Sequence, residues 1–110
     1  MLGLKSHMTF YLCQGTTDMR KGIATLAELI RKDLHKEPDN GDVFIFLSKN
    51  RRNIKILHHD TNGYVLYWKK LDRDRFLLPV FSQENHRYEI TWEKLVILLQ
   101  GTVRKELLVG

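Results

Sequence analysis

The sequence has few of the residues that fix a fold by covalent or metal chemistry. A single cysteine, Cys13, excludes an intrachain disulfide and fits a reducing compartment. Because Cys13 lies in the apolar run FYLC, we expect a buried and inert thiol rather than a reactive one. The sequence also has no Cys/His metal spacing, glycine-rich phosphate loop or Ser/His/Asp order. We therefore expect no cofactor and no metal site.

Long apolar runs are absent as well. None approaches the roughly 18 residues that cross a bilayer. The first ten residues lack the hydrophobic segment and the cleavage site of a secretory signal. No repeat, low-complexity tract or Pro/Ser linker divides the 110 residues. These absences predict one cytoplasmic domain, residues 1–110, with no membrane partner.

Positive charge is concentrated in one part of the chain. The sequence contains 18 Lys and Arg against 13 Asp and Glu, a net charge of +5. Residues 49–75 hold eight cations and three acids, so their excess of 8 − 3 = +5 equals that of the whole chain. Such a concentration indicates a patch that faces a polyanion. The eight cations are Lys49, Arg51, Arg52, Lys55, Lys69, Lys70, Arg73 and Arg75.

Strand signals predict a small α+β domain of about five mainly antiparallel strands. Residues 7–13 and the continuous apolar run 43–47 have the composition of strands. Residues 54–70 predict a hairpin, because Asn-Gly separates two β-rich runs. If Asn62 and Gly63 form a two-residue turn, one face of the hairpin carries Lys55, Leu57, His59, Leu66, Trp68 and Lys70.

The same domain has two principal helices, over about 18–34 and 92–100. Thr17 or Asp18 can cap the first helix, which has an apolar stripe at helical spacing. Thr91 caps the second helix and Gly101 ends it. We expect a turn and a short edge segment around Pro79, and residues 102–110 as a helical extension or a free tail.

Three stretches of the chain together resemble a known family. They are YLCQGTTDMRKGIATLAELI, VFIFLSKNRRNIKILHHDTNGYVLYWKKLDRDRF and LVILLQG. In order and spacing they are similar to the TnpB-type (Orf two-like) accessory protein of insertion sequence sixty-six elements. The resemblance implies a role in transposition of a bacterial mobile element, beside a transposase, with no assigned catalytic activity.

The chain departs from the family's usual pattern at four positions. His58 and His59 stand where the family usually has an aromatic pair, and Asp74 stands in place of a glycine. Leu78 replaces a common tryptophan, while Tyr64, Tyr67 and Trp68 keep the aromatic character between the basic residues.

The motif TTDMRKG allows two interpretations. In the first, Arg20 and Lys21 lie in the first helical turn and, with the helix-end amides, bind a phosphate or an acidic group. In the second, Asp18 caps the helix and pairs with one of these cations, which offsets their repulsion by the helix dipole.

The patch of residues 49–75 is the main candidate site. Arginine matches phosphate with two parallel hydrogen bonds, and Tyr64, Tyr67 and Trp68 could stack on unpaired bases. The alternatives are a solvated hairpin end, pairing by Asp72 and Asp74, and aromatics that only build the core. Arginine and aromatic residues are also favoured where proteins meet each other.

Neither the histidines nor the acids predict an enzyme. Adjacent strand residues point to opposite faces, so His58 and His59 do not readily share a metal ion. The acidic residues are scattered rather than clustered as a two-metal nuclease requires.

The sequence thus predicts a non-catalytic accessory protein that binds DNA, at the element ends or the target, through phosphates. An adaptor that docks onto the transposase or another element-encoded protein is the alternative, and a structural subunit is a third. The predicted nucleic-acid contacts are Arg20 and Lys21 together with the eight cations of residues 49–75.

Overall fold

A computed structural model of the protein describes residues 3–83, 88–100 and 106–109. Within these residues, five strands form a mixed sheet in the order β4-β3-β2-β1-β6, and two more form a small parallel sheet. This architecture confirms the predicted α+β fold. The strands are β1 Phe10–Leu12, β2 Val43–Leu47, β3 Asn53–His59, β4 Tyr64–Lys70, β5 Leu78–Phe81, β6 Glu89–Ile90 and β7 Glu106–Val109, and the α-helices are α1 Ile23–Leu29 and α2 Trp92–Gln100.

Strand β2 lies at the centre of the main sheet, and all five of its side chains are buried. Its continuous apolar run is therefore explained by burial on both faces of the sheet. β2 pairs in parallel with β1 and antiparallel with β3. The parallel pair is joined through α1, because parallel neighbours need a long crossover connection.

Helix α1 begins five residues later than the sequence predicts, at Ile23 rather than at Asp18. A helix through this region would use the carbonyls of Met19 and Lys21 to accept amides four residues further on. Both carbonyls instead accept hydrogen bonds from the Nζ of Lys55, at 2.7 and 2.8 Å. This lysine therefore ties the non-helical segment to the hairpin. The predicted position of Arg20 and Lys21 in the first helical turn is wrong, because both residues precede α1.

Beyond α1 the chain continues as a π-helical turn, Ile30–Leu34. His35 ends it in the left-handed conformation, with φ of +54°. Pro38 follows three residues later and cannot continue a helix.

The β3–β4 hairpin confirms the predicted assignment of side chains to faces but not the predicted turn. Four residues, 60–63, connect the strands, so His59 pairs with Tyr64 and Lys55 pairs with Trp68. The amide of Asp60 donates to the carbonyl of Gly63 across the loop. Because the register differs from a two-residue turn by two positions, every side chain stays on its predicted face.

The two faces of the main sheet are covered by different elements. Helix α1 packs on one face through Leu26 and Ala27, and the π-helical turn adds Ile30, against aromatic residues of β1 and β2. Helix α2 and β7 cover the other face through Leu95, Leu98, Leu99, Leu107 and Val109. No helix of the described residues is long and apolar enough to cross a membrane.

The C-terminal third combines one confirmed prediction with one correction. The hydroxyl of Thr91 accepts the amide of Lys94 at 3.2 Å, as expected for the cap of α2, while Gly101 lies outside the described residues. Residues 106–109 are neither a helical extension nor a free tail, because β7 pairs with β5. Pro79 is tolerated in β5 because both strands of a two-stranded sheet are edges.

Candidate nucleic-acid interface

Three segments that are separate in the sequence meet at one end of the main sheet. Residues 18–21 follow β1, residues 48–52 join β2 to β3, and residues 70–75 begin at the last residue of β4. The parallel pairing of β1 with β2, and the antiparallel order of β2, β3 and β4, bring these connections together. We call this surface the basic end; its cations are Arg20, Lys21, Lys49, Arg51, Arg52, Lys70, Arg73 and Arg75.

Backbone hydrogen bonds join the three segments. The amide of Thr17 donates to the carbonyl of Leu47 at 2.8 Å, which ties the segment after β1 to the end of β2. The amide of Leu71 donates to the carbonyl of Arg52 at 2.8 Å, and the amide of Phe76 donates to the carbonyl of Arg51 at 2.6 Å. The loop 72–75 is thus held at both of its ends by the arginine pair.

A small polar network shapes the turn between β2 and β3. The buried hydroxyl of Ser48 donates to the Oδ1 of Asn50 at 2.7 Å and accepts the amide of Asn53 at 3.1 Å. The same Oδ1 accepts the amide of Arg52 at 2.9 Å. The sequence interpretation missed these residues, although Ser and Asn in a short connection are typical of such turns. Their bonds fix the backbone that carries the two arginines.

Arg51 occupies an unfavourable backbone conformation for its residue type. Its φ is +56°, a region that costs most L-residues about 1–2 kcal/mol. Its side chain is half-buried, and its Nε has no hydrogen-bond partner within the described residues. Residues held in strained backbone conformations are concentrated at functional sites.

Asp74 also has a positive φ, of +64°. The family resemblance implies a glycine at this position, and aspartate is one of the few other residues that adopt this conformation readily. Arg73 and Arg75 on either side of it are exposed.

Arg20 is the one basic-end cation with an ion pair within the described residues. Its Nη2 lies 2.6 Å from Oδ2 of Asp18, its Nε lies 3.0 Å from the same oxygen, and its side chain is highly exposed. These hydrogen bonds hold the pKa of the Asp18 carboxyl well below its usual range. Asp18 thus pairs with Arg20 as the second sequence interpretation expected, but it caps a turn rather than α1.

Lys55 does not belong to this exposed surface, because only 4% of the residue is accessible. Besides its two bonds to backbone carbonyls, its Nζ lies 4.3 Å from the centroid of the Trp68 ring. The ammonium is therefore satisfied internally and holds the segment after β1 against the hairpin. The sequence prediction of a phosphate contact is wrong for this lysine. The prediction assumed that a lysine in an alternating strand is directed to solvent.

Lys69 is also used within the fold. Its Nζ donates to the carbonyl of Leu99 at 2.9 Å, in the last turn of α2. A cation at this position is favoured by the negative end of the helix dipole. Its neighbour Lys70 points to the other face of β4 and is exposed.

The three aromatic candidates for base stacking differ in exposure. Tyr64 and Tyr67 are half-buried: Tyr64 packs against the core on the α1 face of the main sheet, and Tyr67 packs against the core on the α2 face. Trp68 is 55% exposed, and its Nε1 donates to Oδ1 of Asn53 at 3.0 Å. Only Trp68 presents a large ring surface beside the basic end.

His58, His59 and Cys13 behave as packing residues. His58 is buried near the carbonyl of Asp42, whereas His59 makes an edge contact with Tyr64, so the two rings are not brought together. Burial raises the pKa of the Cys13 thiol to about 12, which keeps it protonated at neutral pH. The described residues contain no group of three His, Cys, Asp or Glu able to hold a metal ion.

The fold and the basic end define a small, basic α+β protein whose cations converge from distant parts of the chain. Its sequence matches the family of IS66 Orf2-like proteins over residues 8–107, so the chain belongs to this family. The resemblance drawn from the three motifs is thereby confirmed, and the protein is an insertion-sequence accessory protein.

Two proteins of Sinorhizobium fredii are similar to the chain. The uncharacterized protein y4hO is 33% identical over 101 residues, which cover 92% of this chain and 86% of the relative. The uncharacterized protein y4jC is 27% identical over 79 residues, which cover 72% and 68%. No solved structure shows a significant match.

Proposed function

We propose that this accessory protein binds DNA through phosphate contacts at the basic end and takes part in transposition without catalysing a reaction. The observation that carries the proposal is the convergence of eight cations from three segments onto one surface. Asp18, Asp72 and Asp74 are the acids in the same segments, which leaves an excess of 8 − 3 = +5. An excess of this size on one surface is the electrostatic footprint of a nucleic-acid partner.

Five of the eight cations of the basic end are fully available for contact. Among the described residues, Lys49, Arg52, Lys70, Arg73 and Arg75 are exposed and none of them forms a salt bridge. Asp72 and Asp74 therefore do not form ion pairs with the neighbouring arginines. The arginine forks can bind phosphate oxygens in pairs, and the fixed turns limit the entropy lost on binding.

The arrangement favours phosphate contacts over the reading of base edges. Sequence-specific proteins usually place a helix or strand in the major groove, whereas all of these cations except Lys70 are on the connections between elements. We therefore expect affinity to depend steeply on salt and weakly on sequence. Trp68 adds a stacking surface for an unpaired base at the edge of the same site.

An adaptor role toward the element's transposase is the second candidate. The observation that favours it is the exposed ring of Trp68 beside several arginines, since Trp and Arg dominate the energetics of protein interfaces. The partner would present an acidic surface. Either role fits the cytoplasmic location expected from the sequence.

Fluorescence anisotropy of the full chain with labelled duplexes tests the DNA proposal. An element-end duplex and a scrambled duplex would each be titrated at about 50 and 200 mM salt. Phosphate contacts of this kind predict that the affinity for either duplex falls at least tenfold from the lower to the higher salt concentration. Arg51→Glu with Arg52→Glu should abolish binding. Lys5→Glu with Lys32→Glu changes the net charge equally, at exposed cations outside the basic end, and this variant should retain most of the DNA binding.

Two results would contradict the proposal. One is the absence of binding to either duplex at 50 mM salt, and the other is an equal loss of affinity in both double variants. If binding is absent, capture of the purified transposase by the wild-type chain but not by Arg51→Glu with Arg52→Glu would support the adaptor instead.

A further inference from the structure

Strand β4 has one side of its backbone without a partner in the described part of the chain. It forms an edge of the main sheet and pairs only with β3. Alternate residues of an antiparallel strand direct their N–H and C=O groups to the neighbouring strand. The bonds from Asp60 to Gly63 and from Leu71 to Arg52 show that the odd-numbered residues of β4 direct their backbone N–H and C=O groups to β3. The backbone groups that point to the open side belong to Tyr64, Leu66, Trp68 and Lys70.

This edge has little of the protection that exposed strands usually carry. Proteins blunt such edges with proline, bulges, charged side chains or very short strands. β4 has seven residues in unbroken register with β3 and contains no proline. Its only charges, Lys69 and Lys70, are at one end, and Lys69 is bound to the carbonyl of Leu99.

We propose that a second copy of this chain pairs with β4, antiparallel and symmetric about Tyr67. This register overlaps all seven residues and uses the four unpaired positions on each strand. It places Trp68 opposite Leu66 of the partner subunit and Tyr64 opposite Lys70 of the partner subunit. Aromatic–aliphatic and cation–aromatic pairs are among the favourable cross-strand contacts. Two five-stranded sheets would then form one continuous sheet of ten strands.

Charge favours the antiparallel over the parallel direction when two copies of this chain pair. Antiparallel pairing separates the two Lys70 residues by about 20 Å, six residues at about 3.4 Å each. That distance exceeds the Debye length of about 8 Å at physiological salt, so the lysines repel each other weakly. Parallel pairing would set like charges side by side. The same register leaves the remaining cations of the basic end outside the contact.

Sedimentation equilibrium of the full chain over about 5–500 µM tests the proposal. A single added strand pair is small for an interface, so we expect a dimer in the micromolar range. Leu66→Pro removes an N–H that points to the open side, where proline is tolerated in an edge strand, and should weaken dimerisation at least tenfold. Ile97→Ser alters an apolar residue of α2 that is 42% exposed, and should leave dimerisation unchanged.

A cysteine test keeps the proposal decisive if Leu66→Pro fails to fold, as judged by circular dichroism. Tyr67→Cys in a Cys13→Ala background places two thiols across the symmetry axis, where the Cα atoms of a non-hydrogen-bonded pair are about 4.5 Å apart and within disulfide range. It should form a disulfide-linked dimer on mild oxidation. Asn62→Cys in the same background, exposed in the connecting loop, should not.

Three outcomes would overturn the proposal. They are a monomer throughout the concentration range, a dimer that a folded Leu66→Pro leaves intact, and equal cross-linking at residues 62 and 67. Because the interface does not use the arginines of the basic end, Arg51→Glu with Arg52→Glu should still dimerise. The dimer and the DNA proposal can therefore fail independently.

Discussion

The buried ammonium of Lys55 lies 4.3 Å from the centroid of the Trp68 ring and bridges the segment after β1 to the hairpin. The two residues are directly opposite each other on β3 and β4. One lysine therefore organises two parts of the candidate site while remaining outside its surface.

This arrangement predicts that Lys55 and Lys70 have different roles, although they share one face of the hairpin. Lys55→Met should lower the free energy of unfolding by about 2–3 kcal/mol, because two part-buried carbonyls lose a charged donor. Lys70→Met should change it by less than about 0.5 kcal/mol. Urea denaturation gives both values. Lys70→Met should nevertheless weaken DNA binding, and equal stability losses would contradict the assignment.

Arg51→Gly should separate the affinity for DNA from stability. Glycine adopts the φ of +56° without strain, so we expect the free energy of unfolding to stay constant or to rise by up to about 1 kcal/mol. DNA affinity should fall, with a smaller salt slope, because a phosphate contact is removed. Arg51→Gln is the matched control, since it loses the same charge but keeps an unbranched side chain and with it the strain of the positive φ. A large loss of stability in Arg51→Gly would show that the side chain is structural.

Substitutions at Asp74 should strengthen DNA binding. Asp74→Asn and Asp74→Gly each remove one negative charge from the basic end, so anisotropy should show higher affinity for both. Only the glycine relieves the positive φ, and it should raise stability by up to about 1 kcal/mol over Asp74→Asn. Unchanged affinity in both variants would indicate that the loop 72–75 does not face the DNA.

The pair of Asp18 with Arg20 should contribute a pH-dependent part of the stability. The folded pKa of Asp18 is lowered from an unfolded value of about 4. The contribution is therefore complete above about pH 4 and is lost as the pH falls below that value. Asp18→Asn should flatten the fall in stability with acid, as measured by urea denaturation between pH 2 and pH 6.

The same variant has a second expected effect. Asp18→Asn releases Arg20 and should raise DNA affinity at neutral pH, whereas Arg20→Gln should not. If the Asp18 carboxyl titrates near pH 4 in an NMR experiment on the folded protein, the pair does not stabilise the fold in this way.

The local patterns of the sequence predict much of the fold. The apolar run of β2, the two faces of the hairpin and the cap at Thr91 all follow from spacing and residue type, and the structure confirms them. These features depend on contacts within an element or between neighbouring strands. The pairing of β5 with β7 was missed because their paired residues are 28 positions apart.

Local sequence patterns predict less of the candidate site than of the fold. The sequence indicates which residues are basic, but the meeting of the three segments depends on the order of the strands. The burial of Lys55 was also missed, although its strand has apolar neighbours on both faces that fit a central position in the sheet. The DNA role of the remaining cations stays a prediction.

The bonds of Lys55 also constrain how the protein opens. A loop with few contacts ordinarily exchanges its amide hydrogens through small local fluctuations. Residues 19–21 can separate from the hairpin only if the buried ammonium of Lys55 leaves its two carbonyls. Lys55 belongs to β3, the second strand in the order of the main sheet. Segments 34 residues apart are therefore coupled, and the amides of residues 19–21 should be better protected from exchange than those of a loop without such a contact.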